Sequence, residues 1–207
     1  MTDLHKLLDR AGTTFADAAG ITMKNTPKPL FQLLVVALLS STRISADIAV
    51  AAGRELFHAG WRTPDALAGA SHRDVVEALD RGGYARYDES TAPRLRELAE
   101  RVHDEYRGDL RRLAADAGEN VADASRFLQQ FNGIGPVGAE IFLREVQDVW
   151  PWARPYLDRR ANKGAEALGL PTDATRLAAK APGDDFAPLA AALVRVTFDD
   201  DLLAEVR

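Results

Sequence analysis

FNGIGPVGAEIFLREVQ, residues 131–147, sets two glycines one residue apart between apolar stretches of helical character. A helix has to stop before Asn132-Gly133-Ile134-Gly135, and Pro136, with φ preset and no N–H to lose, suits the first position of another. The segment therefore reads as a tight helical hairpin. Gly133 and Gly135 permit positive φ and let another molecule approach the backbone without a Cβ in the way. Ile134 can point inward and tie the turn to a core. The first amides of the helix that opens at Pro136 lack intrahelical acceptors, which suits an anion such as a phosphate. Glycine-containing connectors also join helices in ordinary bundles, so the hairpin alone leaves a purely structural role open.

Outward from this stretch, apolar residues recur at helical spacing along nearly the whole chain and strand-like alternation is scarce, which predicts an all-α fold. Helices are expected over 2–10, 29–41, 45–58, 63–69, 71–81, 91–105, 108–116, 121–131, 136–148, 158–168, 172–180 and 186–197. Thr63-Pro64 has the form of an N-cap followed by proline, as do Thr26-Pro27 and Lys28-Pro29 ahead of the most apolar helix. Gly82-Gly83 ends the helix HRDVVEALDR, and Asp158 stands where its carboxylate can cap RRANKGAEAL. The segment DVWPWARPY, 148–156, is the best hinge candidate, because two prolines stop a helix and two tryptophans can pack on either side.

Composition narrows the chemistry. The 207 residues are 46% hydrophobic, enough for a real core. Cysteine is absent, which excludes disulfides, thiolate zinc sites and cysteine-ligated iron–sulfur clusters. The longest apolar run, LFQLLVVALL at 30–39, is too short to span a bilayer, and the N-terminus lacks the form of a signal peptide, so a cytoplasmic protein with no membrane partner is expected. The net charge of −5 opposes non-specific adhesion to polyanions, so any such surface has to be local. Residues 142–163 provide one candidate, with Arg144, Arg154, Arg159, Arg160 and Lys163 against Glu145, Asp148 and Asp158. The C-terminal aspartates 184, 185 and 199–201 read as a solvated acidic end.

These features resemble, in order along the chain, the helix–hairpin–helix DNA glycosylases of the endonuclease III type. FNGIGPVGA lies over the family hairpin L-P-G-V-G-R-K-T-A with both glycines in place. Upstream, PLFQLLVVALLSSTRISAD is similar to P-F-E-L-L-I-A-V-L-L-S-A-Q-A-T-D. Downstream, VWPWARPYLDRRANKGAEALGL is similar to the segment bearing a tryptophan–proline pair, the catalytic aspartate and a helix ending in L-G-L, and FAPLAAALVRVTFD to the closing helix. The likeness covers most of residues 29–200.

The resemblance implies one two-lobed helical unit over 1–207 with a DNA cleft between lobes. Residues 28–149 would form the central lobe, and 1–27 with 150–207 the second. It implies a partner, double-stranded DNA with a damaged or mispaired base, gripped through backbone phosphates while the base is flipped out. The matching DNA-binding positions are Asn132, Gly133, Ile134, Gly135, Pro136, Val137 and Gly138, with Thr42, Arg159 and Lys163. Asp158 matches the catalytic aspartate, whose carboxylate would stabilise an oxocarbenium-like sugar and orient water. Its other reading is a helix cap paired with Arg159, Arg160 or Lys163. Thr42 would fill the gap left by the flipped base, or else bond a helix end.

The departures shape the expected activity. Val137 stands where bifunctional members carry the Schiff-base lysine, so β-lyase chemistry is not expected. Val36 stands where adenine-mismatch members carry glutamate. The iron–sulfur loop is missing, so no metal or cofactor is expected, although family hairpins often hold a monovalent cation on main-chain carbonyls. A monofunctional, monomeric glycosylase of base excision repair, nucleoid-associated if bacterial, is one reading. A DNA- or lesion-binding protein without chemistry is the second. An all-α protein with a structural or protein-partner role is the third.

Overall fold

The computed structural model describes residues 2–183 and 186–207; Asp184 and Asp185 of the acidic stretch lie outside the described residues. The fold is all-α, with no strand among the described residues. In chain order the helices are α1 (Leu4–Ala11), α2 (Phe15–Ala18), α3 (Pro27–Leu39), α4 (Ala46–His58), α5 (Pro64–Ala68), α6 (His72–Arg81) and α7 (Asp88–Tyr106). They continue as α8 (Arg111–Asp116), α9 (Val121–Leu128), α10 (Pro136–Val146), α11 (Arg159–Ala167), α12 (Ala174–Ala178), α13 (Ala187–Val196) and α14 (Asp200–Val206), with a 3-10 turn at Pro151–Ala153. Among the described residues no helix is long and apolar enough to cross a membrane.

The chain divides into two units, Phe15–Phe142 and Met1–Thr14 with Leu143–Arg207. In the larger unit α3 is the axis. Every residue from Leu30 to Leu39 is buried, including Gln32, so beyond its first turn this helix is enclosed on all sides. Such a segment forms a helix because packing on all sides supplies what an amphipathic stripe supplies elsewhere. Each fully buried Leu or Val there contributes about 1.5–3 kcal/mol relative to exposure. Around it, α4 carries a Ser45 cap, α5 a Thr63 cap and α6 a Ser71 cap, each hydroxyl accepting a first-turn amide.

The smaller unit is built on α1, α11, α13 and α14, with Leu7, Ala165, Phe186, Leu189 and Leu193 in one apolar cluster. Here aspartates do the capping. Asp3, Asp158, Asp173 and Asp199 each accept amides at the start of α1, α11, α12 and α14. Asp148 takes the Phe186 and Ala187 amides at the head of α13, at 2.9 and 3.0 Å. Asp199 is thus a helix start and not part of a loose acidic end, and α14 is a helix the sequence pattern did not announce.

The unit boundaries fall at 14/15 and 142/143, where the sequence pointed to 27/28 and 149/150. Phe15, Ala16, Ala19 and Ile21 are buried, anchoring a segment whose four-residue helix is too short to leave a periodic signature. The expected hinge at 148–156 is instead folded onto the end of α10. The Gln147 side chain accepts the Tyr156 N–H at 2.8 Å and donates to the Tyr156 carbonyl at 3.1 Å. Trp150 is buried, and Trp152 stacks on it with ring centroids 5.1 Å apart. The prolines stop the helix without freeing the chain. Helix α7 also begins at Asp88, three residues before its expected start, and runs through Pro93.

Helices α11 and α13 approach most closely at Gly164, where any Cβ would collide with the Leu193 carbonyl oxygen. The colliding atom is backbone, so the helices themselves would have to part. Gly164→Ala should therefore destabilise the protein by about 1–3 kcal/mol despite alanine's better helix propensity, read as a lower urea midpoint. An unchanged or raised midpoint would mean that the two helices can separate freely.

Candidate nucleic-acid interface and carboxylate site

The hairpin lies in the larger unit. Helix α9 ends at Leu128, and Phe131, 1% exposed, anchors the turn against the Tyr106 ring at 6.1 Å. The Arg101 guanidinium lies over Phe131 and donates to the Gln130 carbonyl and side chain, holding the approach to the turn in place. Ile134 is buried, as its position predicts.

The three glycines of the turn do three different things. Gly133 has φ +93, a conformation that side-chain-bearing residues resist. Gly135 has ordinary backbone angles and nothing within 4 Å of where a Cβ would stand, so it is open to an approaching molecule. Of the two glycines that permit positive φ, only Gly133 uses it. Gly138 is buried, and a Cβ there would collide with Ser41 Oγ, so its small size serves packing of α10 on the end of α3. The exposed rim of the turn is Asn132, Gly135, Pro136 and Val137. Asn132 donates to Glu97 Oε2 at 2.9 Å, and Val137 leaves 51% of its surface in solvent. Among the described residues, the amides of Gly135 and Val137 meet no protein acceptor.

Thr42 is committed internally. Its hydroxyl is 2.8 Å from the Tyr84 hydroxyl and 3.2 Å from the Leu39 carbonyl it donates to. Tyr84 is fully buried, donates to the same carbonyl at 3.0 Å, and burial pushes its phenol pKa up. The helix-end reading of Thr42 is the one its bonds satisfy.

Asp158 belongs to the smaller unit and is 4% exposed. Its Oδ1 accepts the Arg160 and Ala161 amides at 2.9 and 2.7 Å, the cap geometry expected of it. Its Oδ2 takes Arg144 Nη1 at 2.5 Å. The partner is thus Arg144 and not Arg159, Arg160 or Lys163. The same guanidinium reaches Glu145 Oε1 through Nε and Nη2, at 3.2 and 3.1 Å, and both residues are buried. One cation and two carboxylates are therefore packed together out of water. Burial alone would lower the Arg144 pKa; the two carboxylates outweigh it and raise it above the ordinary arginine value. A raised pKa means that the guanidinium's contribution is fully present below its ordinary value and is lost only as pH climbs through the higher folded one. The guanidinium is therefore charged throughout the neutral range.

Arg144 and Glu145 were read in the sequence only as surface charges. The missed signal is their place inside IFLREVQ, where Ile141 to Gln147 are all buried; two charges in a stretch with no solvent face have to meet partners. Arg159 and Lys163 are exposed on α11, and Arg160 covers the exposed Phe198 ring at 4.3 Å. The other two carboxylates weighed against Asp158 differ in role: Asp148 caps α13, and Glu140 is half-buried on α10. Among the described residues no cluster of three or more His, Asp or Glu is placed to hold a metal ion. No protein-family model and no curated protein matches the chain.

Removing Arg144 takes away the guanidinium that both buried carboxylates share. Arg144→Met should cost about 3–5 kcal/mol of stability at neutral pH, measured by urea unfolding, whereas Lys163→Met should change little. Equal effects for the two would show that the triad is not the buried unit described.

Proposed function

We propose that the chain is a two-lobed helix–hairpin–helix protein of the DNA glycosylase type, a monofunctional enzyme that hydrolyses the N-glycosidic bond of a damaged or mispaired base. The observation that carries this is the hairpin rim: an open Gly135 and unpartnered first-turn amides, standing on a turn pinned by buried Ile134 and Phe131. A backbone phosphate is the ligand such a rim suits, because oriented amides and the positive end of α10 offer charge complementarity without reading sequence. Asp158, fixed by its cap, would oppose the positive charge that grows on deoxyribose as the base leaves. Val137 offers no amine, so the product would be an intact abasic strand.

A specific observation favours a second reading, DNA or lesion binding without base release. Both Asp158 oxygens are occupied and the group is 4% exposed, so it would have to shed Arg144 before meeting a sugar. One experiment separates the two. Labelled duplexes carrying alkylated bases, uracil or mismatches are incubated with protein and then treated with alkali. Scission only after alkali, reduced about 100-fold or more in Asp158→Asn, supports the enzyme. Retained DNA binding with no scission on any substrate supports the second reading.

The grip has its own test. Gly135→Asp has room for its side chain, so it should leave stability unchanged while weakening binding to duplexes of every sequence at least tenfold. Full affinity in that variant would remove the hairpin from the interface.

A further inference from the structure

At the other end of α3, about 15 Å along the helix from the residues that meet the hairpin, the larger unit carries a groove of about 550 Å³. Its charged walls are all of one sign. Lys24, Lys28, Arg54 and Arg62 line it, and no Asp or Glu does. In a chain of net charge −5 this is already unusual. Among the described residues none of these four cations has a carboxylate within ion-pair distance. Arg62 is held in place by donating Nε to the Phe57 carbonyl at 2.7 Å, which leaves its terminal nitrogens for another partner. Glu55, on the same helix as Arg54, is taken by Arg81 at 3.2 Å.

The groove also reaches a polar side chain that opens onto it without a bond inside the protein. Gln32 is 6% exposed, lines the groove, and among the described residues its side-chain amide has no hydrogen-bond partner. Its amide can meet water or a ligand that enters the groove. The start of α3 adds a further donor. Thr26 makes no side-chain cap, and Pro27 and Pro29 have no N–H, so the Lys28 amide is the first-turn donor left to an outside acceptor.

We infer that this groove is a binding site for a small phosphate-bearing molecule, its phosphoryl oxygens taken by Arg54, Arg62 and the lysines and by the Gln32 amide. A phosphoryl group fits because it offers several acceptor oxygens and up to two negative charges, and guanidinium forks match its geometry. The volume leaves space for an organic portion beside the phosphate. The inference does not rest on the hairpin or on Asp158.

The test is calorimetric titration of the full chain with inorganic phosphate and with ribose 5-phosphate, repeated with Arg54→Ala and Gln32→Leu. Arg54 is exposed and leucine matches glutamine in size at a buried position, so both variants should fold. The expected result is saturable binding, tighter for the sugar phosphate, weakened at least tenfold in each variant and unchanged in Gly135→Asp. No saturable binding, or equal binding by wild type and both variants, overturns the site. A third arm adds a short duplex lacking terminal phosphates. If it displaces the bound phosphate competitively, the phosphoryl group recognised is that of a DNA strand, and the small-molecule assignment falls.

Discussion

A guanidinium 98% out of water cannot stand alone, and the smaller unit is arranged so that it does not. Arg144 leaves α10 into a region with no solvent face, and desolvation there penalises its charge severely. Two carboxylates answer it. Glu145 is adjacent in sequence, but Asp158 comes from beyond a loop, so the ion pair decides where α11 begins. The loop between them is held shut by the Gln147 amide on Tyr156 and by the Trp150–Trp152 stack. The buried charge is thus tied directly to the residue that starts α11.

Much of this was legible in the residues. The all-α character followed from 3.6-residue periodicity, and most helix limits from Ser, Thr, Asp, Gly and Pro at the ends. Helices α2 and α14 were not legible in the sequence pattern. The boundary expected near 149 rested on Pro151 and Pro155, which end a helix, but whether the chain then swings free depends on long-range bonds such as that from Gln147. The cap role of Asp158 was readable from its place before α11. Its pairing with Arg144 was not, since 14 residues of separation give no geometric hint.

The hairpin shows how one residue type can serve distinct constraints within six positions. Gly133 answers to dihedral angles, Gly138 to the space left by Ser41, and Gly135 to neither. Gly135 alone of the three is a glycine that neither backbone angles nor packing require. The same contrast separates Thr42, used up by Tyr84 and Leu39, from the rim that faces outward.

The five aspartates at the heads of α1, α11, α12, α13 and α14 carry a consequence for how the molecule looks to its surroundings. Each is bonded to main-chain N–H groups at the positive end of a helix, or beside it, so part of its field is cancelled locally. A formal sum over ionisable side chains omits these backbone dipoles. The sequence isoelectric point of about 5.4 therefore overstates the repulsion a polyanion would meet, and chromatographic behaviour on an anion exchanger is a poor proxy for what this surface attracts.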